Sequence, residues 1–331
     1  MQKKIYYATL LALVVGAAAF YFMSERKRYI TSEGAMWTTE YHITYEADKN
    51  MADSIVAVLN RIDASASAYN QMSLVAEFNT TGAVVADDLL KTLMAEAKVV
   101  YEASKGAYDP SVMPLVQAYK KAAKDKRLPS QGYIDEILAY VGFDKVKFSG
   151  DTIKGEDKRM QLDFSSIAKG LACDEVGRMF ERNGITNYLV EIGGEVVASG
   201  VNDRGTKWNV SVDMPEATEH ESALIISLDK VAVATSGNYR QTATVGKKSI
   251  AHIIDPHTGK AQPSDLLSVS IIAPSCVTAD AWATACMAMG TKATQELMEN
   301  NTELGVMTIS ADENGNYVVW SNKAFTKYVP E

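Results

Sequence analysis

The chain has 331 residues, 47% of them hydrophobic and 22% charged, with a formal net charge of −8. That length supports one large domain or two ordinary ones with a substantial core, and the composition excludes a disordered polymer. The acidic balance without a basic stripe argues against nucleic acid as a partner, and cysteines limited to Cys173, Cys276 and Cys286, with no CxxC, argue against a disulfide framework or a structural zinc site.

Lys3 and Lys4 precede an apolar run from Ile5 to Met23, and Arg26, Lys27 and Arg28 follow it. As a helix the run reaches roughly 28 Å, about the hydrocarbon thickness of a bilayer. Residues 1–28 therefore read as one N-terminal membrane helix or as a secretory signal with Ala17-Ala18-Ala19 as its cleavage site. The basic flank after the run favours the anchor. Charge alone leaves its orientation open, because basic residues stand on both sides.

Residues 29–331 read as a single domain without linker, repeat or low-complexity tract. Met36 to Tyr45 alternates like one strand. Met51 to Ser67 and Asp87 to Ser104 carry apolar residues at helical spacing, the second closed by Gly106. Further helices are predicted over Val112–Lys124 and Ser130–Val141, with short strands at Phe143–Phe148 and Met160–Asp163. Ile167 to Asn183 is a helix ended by Gly184. The period then changes, and strands are predicted at Tyr188–Ile192, Val196–Ser199, Trp208–Asp213, Leu224–Leu228, Val231–Thr235, Ser249–Ile254 and Ser268–Ala273. Helices over Ala279–Met289 and Thr291–Glu299 follow, and Val306–Ser310 with Tyr317–Ser321 forms a closing hairpin around Asn314-Gly315. Helices and strands are segregated, so the fold class is α+β with mixed or antiparallel sheets and flanking helices.

Two segments suggest an anion and a cation held together. Asp280, Ala283 and Thr284 share one face of a helix, where a carboxylate and a hydroxyl can address one ion. Mg²⁺ takes oxygen ligands, commonly with one or two carboxylates, and shares its shell with substrate phosphate. The same pattern also suits a helix start with an aspartate placed for the dipole. Asp163-Phe-Ser-Ser-Ile-Ala-Lys-Gly170 runs from a strand end into a helix start, where free N–H groups and Lys169 favour an anion. An ordinary serine cap with a solvated lysine fits it as well. Of four histidines, His220 lies in a charged loop and His42 in a strand. His252 and His257 flank the Asp255-Pro256 turn.

In order along the chain, eight motifs resemble the FAD:protein FMN transferase family, the ApbE-type flavin transferases. They are Met36-Trp-Thr38; Ser67-Ala-Tyr69 with Ser73 and Asn79; Gly106-Ala-Tyr-Asp-Pro110; Leu162-Asp-Phe-Ser-Ser-Ile-Ala-Lys-Gly170; Glu191-Ile-Gly-Gly-Glu195; Ala234-Thr-Ser-Gly-Asn-Tyr239; His252-Ile-Ile-Asp-Pro-His-Thr-Gly259; and Ala279-Asp-Ala-Trp-Ala-Thr284. The resemblance runs from about Met36 to Gly290. Ser73-Leu-Val-Ala departs from it in being less acidic than the family's usual S-E-L-S. The resemblance implies that Met36, Tyr69, Ala107, Tyr108, Asp109, Asp163, Lys169 and Ile254 contact FAD. It implies that Asp280, Thr284 and the carbonyls of Ser166 and Ala283 hold Mg²⁺, and that His252 assists proton transfer from the acceptor hydroxyl.

The implied reaction moves FMN from FAD to a serine or threonine hydroxyl of a partner protein and releases AMP. Mg²⁺ neutralises the diphosphate, and the protein positions the reactants. The family's usual place, outside the cytoplasmic membrane, implies an N-terminus inside and the domain on the periplasmic side. The expected acceptors are exported FMN-binding domains, such as flavin-carrying subunits of membrane redox complexes. Two other readings compete: a Mg²⁺-dependent FAD pyrophosphatase yielding FMN and AMP, and a flavin-binding protein without catalysis.

Overall fold

A computed structural model describes residues 28–213, 222–237, 242–245, 248–251, 254–261, 265–312 and 314–330. The apolar run Ile5–Met23 and the acidic loop with His220 lie outside these residues, as does His252. Among the described residues no helix is long and apolar enough to cross a membrane.

The chain opens with β1 (Tyr29–Met36) and β2 (Thr39–Glu46). The sequence suggested a single strand over Met36–Tyr45, but a turn at Trp37-Thr38 folds it back. Both turn residues have left-handed backbone, with φ of 52° and 65°, the geometry of a two-residue hairpin whose twist matches its strands. Glycine usually marks such turns. Here Trp37 tolerates the conformation because its indole N–H donates to Asp63 at 2.9 Å.

Helices α1 (Ala52–Ala66), α2 (Leu74–Thr81) and α3 (Asp88–Ala103) follow, with β3 (Ala83–Val85) between the last two. The helix α2 was not foreseen. Ser73 caps it, accepting from the Ala76 N–H, and Gly82 ends it. Helices α4 (Met113–Asp125) and α5 (Gln131–Leu138) lead to β4 (Val146–Ser149) and β5 (Thr152–Gly155), which complete a small three-stranded sheet with β3. Phe143–Lys145, expected as strand, is a 3₁₀ turn. Met160–Asp163 belongs to no strand. The Asn79 side chain holds it instead, donating to the Leu162 carbonyl at 2.9 Å and accepting from the Leu162 N–H at 2.6 Å.

After α6 (Ala168–Arg182) come β6 (Tyr188–Ile192), β7 (Glu195–Ser199), β8 (Trp208–Asp213), β9 (Ser222–Leu228), β10 (Val231–Gly237), β11 (Thr242–Val245), β12 (Lys248–Ala251) and β13 (Leu266–Ala273). Then α7 (Cys276–Met298), β14 (Gly305–Ala311), β15 (Tyr317–Ser321) and the short α8 (Lys323–Thr326) close the domain. Helix α7 is broken at Gly290, whose φ is 79°. The two predicted helices are thus two segments meeting at that glycine, the first beginning three residues earlier than expected.

One eight-stranded sheet in the order β1-β2-β6-β7-β10-β13-β14-β15 organises the molecule, with every neighbouring pair antiparallel. One face packs Ile43, Val190, Ile192, Ala234, Val269 and Ile271 against α1, α3, α6 and α7 in the main core. The other face packs Val196, Val233, Ile272 and Ile309 against Trp208, Ile226 and Leu228 of the β8–β9 hairpin. Central strands are therefore buried on both faces and lose their alternation, as β7 does throughout. β2 keeps it because only one of its faces is covered. This is the α+β architecture expected from the sequence.

Candidate functional site

The site forms where α6 crosses the start of α7 beneath the sheet. Asp174 on α6 accepts the Cys276 and Val277 N–H groups at 2.8 and 3.0 Å, so one helix caps the other. Gly170 makes the close crossing possible. A Cβ there would strike the Cys276 carbonyl oxygen and crowd the Asp280 Cβ. Its N–H donates to Asp280 Oδ2 at 3.1 Å. One turn further along α7, Thr284 Oγ1 lies 3.5 Å from the Ser166 carbonyl oxygen. Two segments more than a hundred residues apart thus place a carboxylate, a hydroxyl and a carbonyl along one seam, with Ala283 fully buried beside them.

The charges at this seam do not cancel. The Lys169 ammonium pairs with Glu195 Oε2 at 2.5 Å, and Asp280 lies close enough to act on both. Two carboxylates share one ammonium. Burial raises the Glu195 carboxyl well above the usual carboxylate range, with the Asp280 charge adding to the shift and Lys169 opposing it. Burial likewise raises Asp280 above the usual carboxylate range, against Lys169 and the Gly170 N–H. Burial works against the charge of Lys169, yet Asp280 and Glu195 hold its pKa above the ordinary lysine value. With both carboxyls ionised the seam would carry one net negative charge in a low-dielectric interior, which either a proton or a bound cation would offset.

The loop after α3 approaches the same point. Gly106, with φ of 83°, turns the chain so that the Tyr108 N–H meets Ser104 Oγ at 3.1 Å. The Tyr108 hydroxyl is buried beside Ser166 and, among the described residues, has no well-aligned hydrogen-bond partner. Burial raises its pKa. Asp109 accepts the Ser111 N–H at 2.7 Å and the Phe143 N–H at 3.2 Å, and burial pushes its carboxyl up to about 6. The Asp163 N–H donates to the Pro110 carbonyl at 2.8 Å, tying the 162–170 segment to this loop.

A chain of contacts runs outward from the loop at Ala107. Ile254 pairs with Ala261 across the Asp255-Pro256 turn, and Asp255 holds that turn through the His257 N–H at 2.9 Å and the Thr258 hydroxyl at 2.8 Å. His257 Nε2 lies 2.9 Å from the Lys105 carbonyl, fastening the turn beside Ala107. The Tyr119 hydroxyl donates to the Gly259 carbonyl at 3.0 Å, and the neighbouring Lys120 donates to the exposed Tyr69 hydroxyl at 3.2 Å. Asp63 joins the Trp37 indole to the Asn70 amide, at 2.9 and 2.6 Å, bringing the Met36 hairpin to the Tyr69 loop.

The residues singled out in the sequence therefore fall in two connected groups. Ser166, Lys169, Asp280, Ala283, Thr284 and Tyr108 form the inner cluster. Met36, Tyr69, Ala107 and Ile254 stand along the outward chain of contacts, and Asp109 and Asp163 brace the loops between. His252 lies outside the described residues. Glu195 received no role from its sequence, although a carboxylate opening the apolar run Val196-Val-Ala198 was a signal of a buried charge. Among the described residues no three histidine, cysteine or acidic side chains gather as a metal cluster. The donors here are instead one carboxylate, one hydroxyl and backbone carbonyls, an all-oxygen set that suits Mg²⁺. Two buried carboxyls around one ammonium, and a Tyr108 hydroxyl without a well-aligned partner among the described residues, fit a cation with phosphate oxygens.

The chain matches the ApbE family over residues 37–308. It is 31% identical to an FAD:protein FMN transferase of Haemophilus influenzae, over 99% of this chain and 98% of that one. Among solved structures, the flavin transferase ApbE of Vibrio cholerae superposes with a TM-score of 0.80 at 27% identity, covering 92% of this chain and all of that one. The apo flavinyl transferase ApbE of Pseudomonas stutzeri does so with a TM-score of 0.82 at 27% identity, covering 92% and 97%. With the family matched over most of its length and a relative aligned nearly end to end, the chain belongs to the ApbE family of flavin transferases.

Proposed function

We propose that this FAD:protein FMN transferase cleaves the diphosphate of FAD at a Mg²⁺ site on the α6–α7 seam. The cleavage is a displacement: a serine or threonine hydroxyl of an exported acceptor gives up its proton and attacks the flavin-side phosphorus, forming the FMN phosphoester as AMP leaves. The observation that carries this reading is the arrangement of two buried carboxyls, Asp280 and Glu195, around the single Lys169 ammonium, with the Ser166 carbonyl and the Thr284 hydroxyl on the Asp280 side.

Asp280, Thr284 and the carbonyls of Ser166 and Ala283 would hold the ion, which supplies charge neutralisation of the diphosphate and of the leaving AMP. Lys169 adds a positive charge on the same side. The Tyr108 hydroxyl, without a well-aligned partner among the described residues, would donate to a phosphate oxygen. Ala107, Asp109, Asp163 and Ile254 shape the pocket wall, with Met36 and Tyr69 at its mouth for the flavin. His252 is assigned the proton of the attacking hydroxyl. Pre-organised positioning of this kind is the main lever in phosphoryl transfer, which needs little covalent chemistry from the protein.

We also assign residues 1–28 to a membrane anchor with the 29–331 domain on the periplasmic face of the cytoplasmic membrane. The acceptor is then an FMN-binding domain of a membrane redox complex or another exported flavoprotein. The apolar run with its basic flanks supports the anchor.

Incubating the full chain with FAD, Mg²⁺ and a candidate acceptor domain tests the reaction. Flavin fluorescence on the denatured acceptor is the expected result. Asp280→Ala is expected to lower it at least about a hundredfold, since no other carboxylate is proposed for the ion. Release of FMN and AMP without labelling would make the enzyme a pyrophosphatase, and retention of intact FAD would make it a binding protein.

A further inference from the structure

The ion pair between Lys169 and Glu195 poses a question of its own. Lys169 neighbours Gly170, whose N–H already touches Asp280. A lysine so placed, with a flexible four-carbon stem, would be expected to close on Asp280, the carboxylate across the seam. It turns instead to Glu195, at 2.5 Å, and Asp280 keeps only the Gly170 N–H as its hydrogen-bond donor among the described residues. We infer that Glu195 is a positioning residue that holds the Lys169 ammonium off Asp280 and so keeps that carboxylate open to a divalent cation. The inference rests on the Mg²⁺ site proposed above.

Glu195 is built to stay in place. It begins β7, opposite Ile192 across the Gly193-Gly194 turn. The Gly193 N–H is fixed on the Glu40 carbonyl at 3.0 Å. The Cys173 thiol donates to the Glu195 carbonyl at 3.3 Å. The side chain is almost fully buried, so it has no solvent alternative to the ammonium. If Glu195 lost its charge, Asp280 would become the nearest partner for Lys169. The resulting pair would be neutral, and a divalent cation would have to displace a lysine to bind. The same seam would then read as an ordinary buried salt bridge.

The charge count makes the idea testable through metal binding alone. With all three side chains ionised the cluster carries one net negative charge in the native chain, none in Glu195→Gln, and one again in Glu195→Gln with Lys169→Met, so binding is compared at a pH high enough to ionise the buried Glu195. Binding of Mn²⁺, which takes the same oxygen ligands as Mg²⁺, is followed in the full chain by loss of the free-ion paramagnetic resonance signal. Native protein is expected to bind and Asp280→Ala to fail. Glu195→Gln is expected to bind about tenfold or more weakly, the scale of one buried charge at short range. The double variant is expected to recover most of the native affinity, a rescue that a merely structural glutamate would not show. Native affinity in Glu195→Gln, or a double variant as weak as the single, would overturn the inference while leaving the metal site standing. Binding that ignores Asp280→Ala would instead overturn the proposed metal site, and this inference with it.

Discussion

Tyr108 shows how one side chain can be costly to the fold and useful to the site. Its hydroxyl is buried beside Ser166, and among the described residues it finds no well-aligned hydrogen-bond partner. An unmet buried hydroxyl costs roughly 1–3 kcal/mol. Tyr108→Phe removes only the oxygen and leaves the packed ring. The variant is therefore expected to unfold at higher urea, by about 1 kcal/mol, while its FAD turnover falls about tenfold. Equilibrium unfolding and initial rates on the same preparation measure both. A variant that is less stable and equally active would place the hydroxyl in the structure rather than the reaction. Residues of this kind were unevenly legible. Asp280 and Thr284 could be paired from sequence because helical spacing puts them on one face. Glu195 could not be paired with Lys169, because strand and helix meet only through the tertiary fold. Tyr108 was placed at the flavin by resemblance alone, and nothing in the motif showed that its hydroxyl is buried beside Ser166.

At the scale of elements, the α6–α7 junction holds together the donors proposed for the metal, and Asp174 is its clasp. Its carboxylate accepts two N–H groups at the start of α7, yet burial outweighs them and pushes its pKa up to about 6 from 3.8. The folded state thus holds the proton more tightly than the unfolded chain. Its contribution to stability is complete below 3.8 and is lost as pH rises through about 6. Two units correspond to about 3 kcal/mol. Asp174→Asn cannot ionise, so the native chain is expected to lose urea resistance relative to this variant between pH 4 and pH 7. Parallel midpoints across that range would mean that the two N–H groups fully offset burial. The elements themselves were largely readable, since amphipathic helices and alternating strands declare their period. The hairpin at Trp37-Thr38 was hidden because left-handed turns are signalled by glycine or asparagine, and neither is present. The helix Leu74–Thr81 was hidden because it is short and its cap, Ser73, has meaning only once the helix exists. The segment Met160–Asp163 looked like a strand because it is apolar and extended, but a side chain of α2 rather than a sheet partner satisfies its backbone.

Across the whole molecule, the donor groups arrive from far apart in the chain and are joined by one core. Ser166 lies at the entry to α6 and Asp280 on α7, with most of the sheet's central strands between them in sequence. The motifs could be recognised singly, but their meeting depends on the eight-stranded order and on α6 and α7 sharing one sheet face, which no local period encodes. That arrangement has a thermodynamic consequence. An ion that bridges α6 and α7 binds only when the core connecting them is intact, so its binding energy adds to the stability of the domain rather than to a local loop. At a free concentration ten times the dissociation constant the gain is about 1.4 kcal/mol. Mg²⁺ is therefore expected to raise the urea midpoint of the native chain, with helix circular dichroism and tryptophan fluorescence shifting together, and to leave Asp280→Ala unmoved. Trp208 reports from the face opposite the helices, and Trp282 from α7 itself. A coincident shift would mean that the ion acts on the shared core. A shift confined to the helix signal would mean that α6 and α7 form a separable unit, and curves identical in Mg²⁺ and in chelator would remove the cation from the seam altogether.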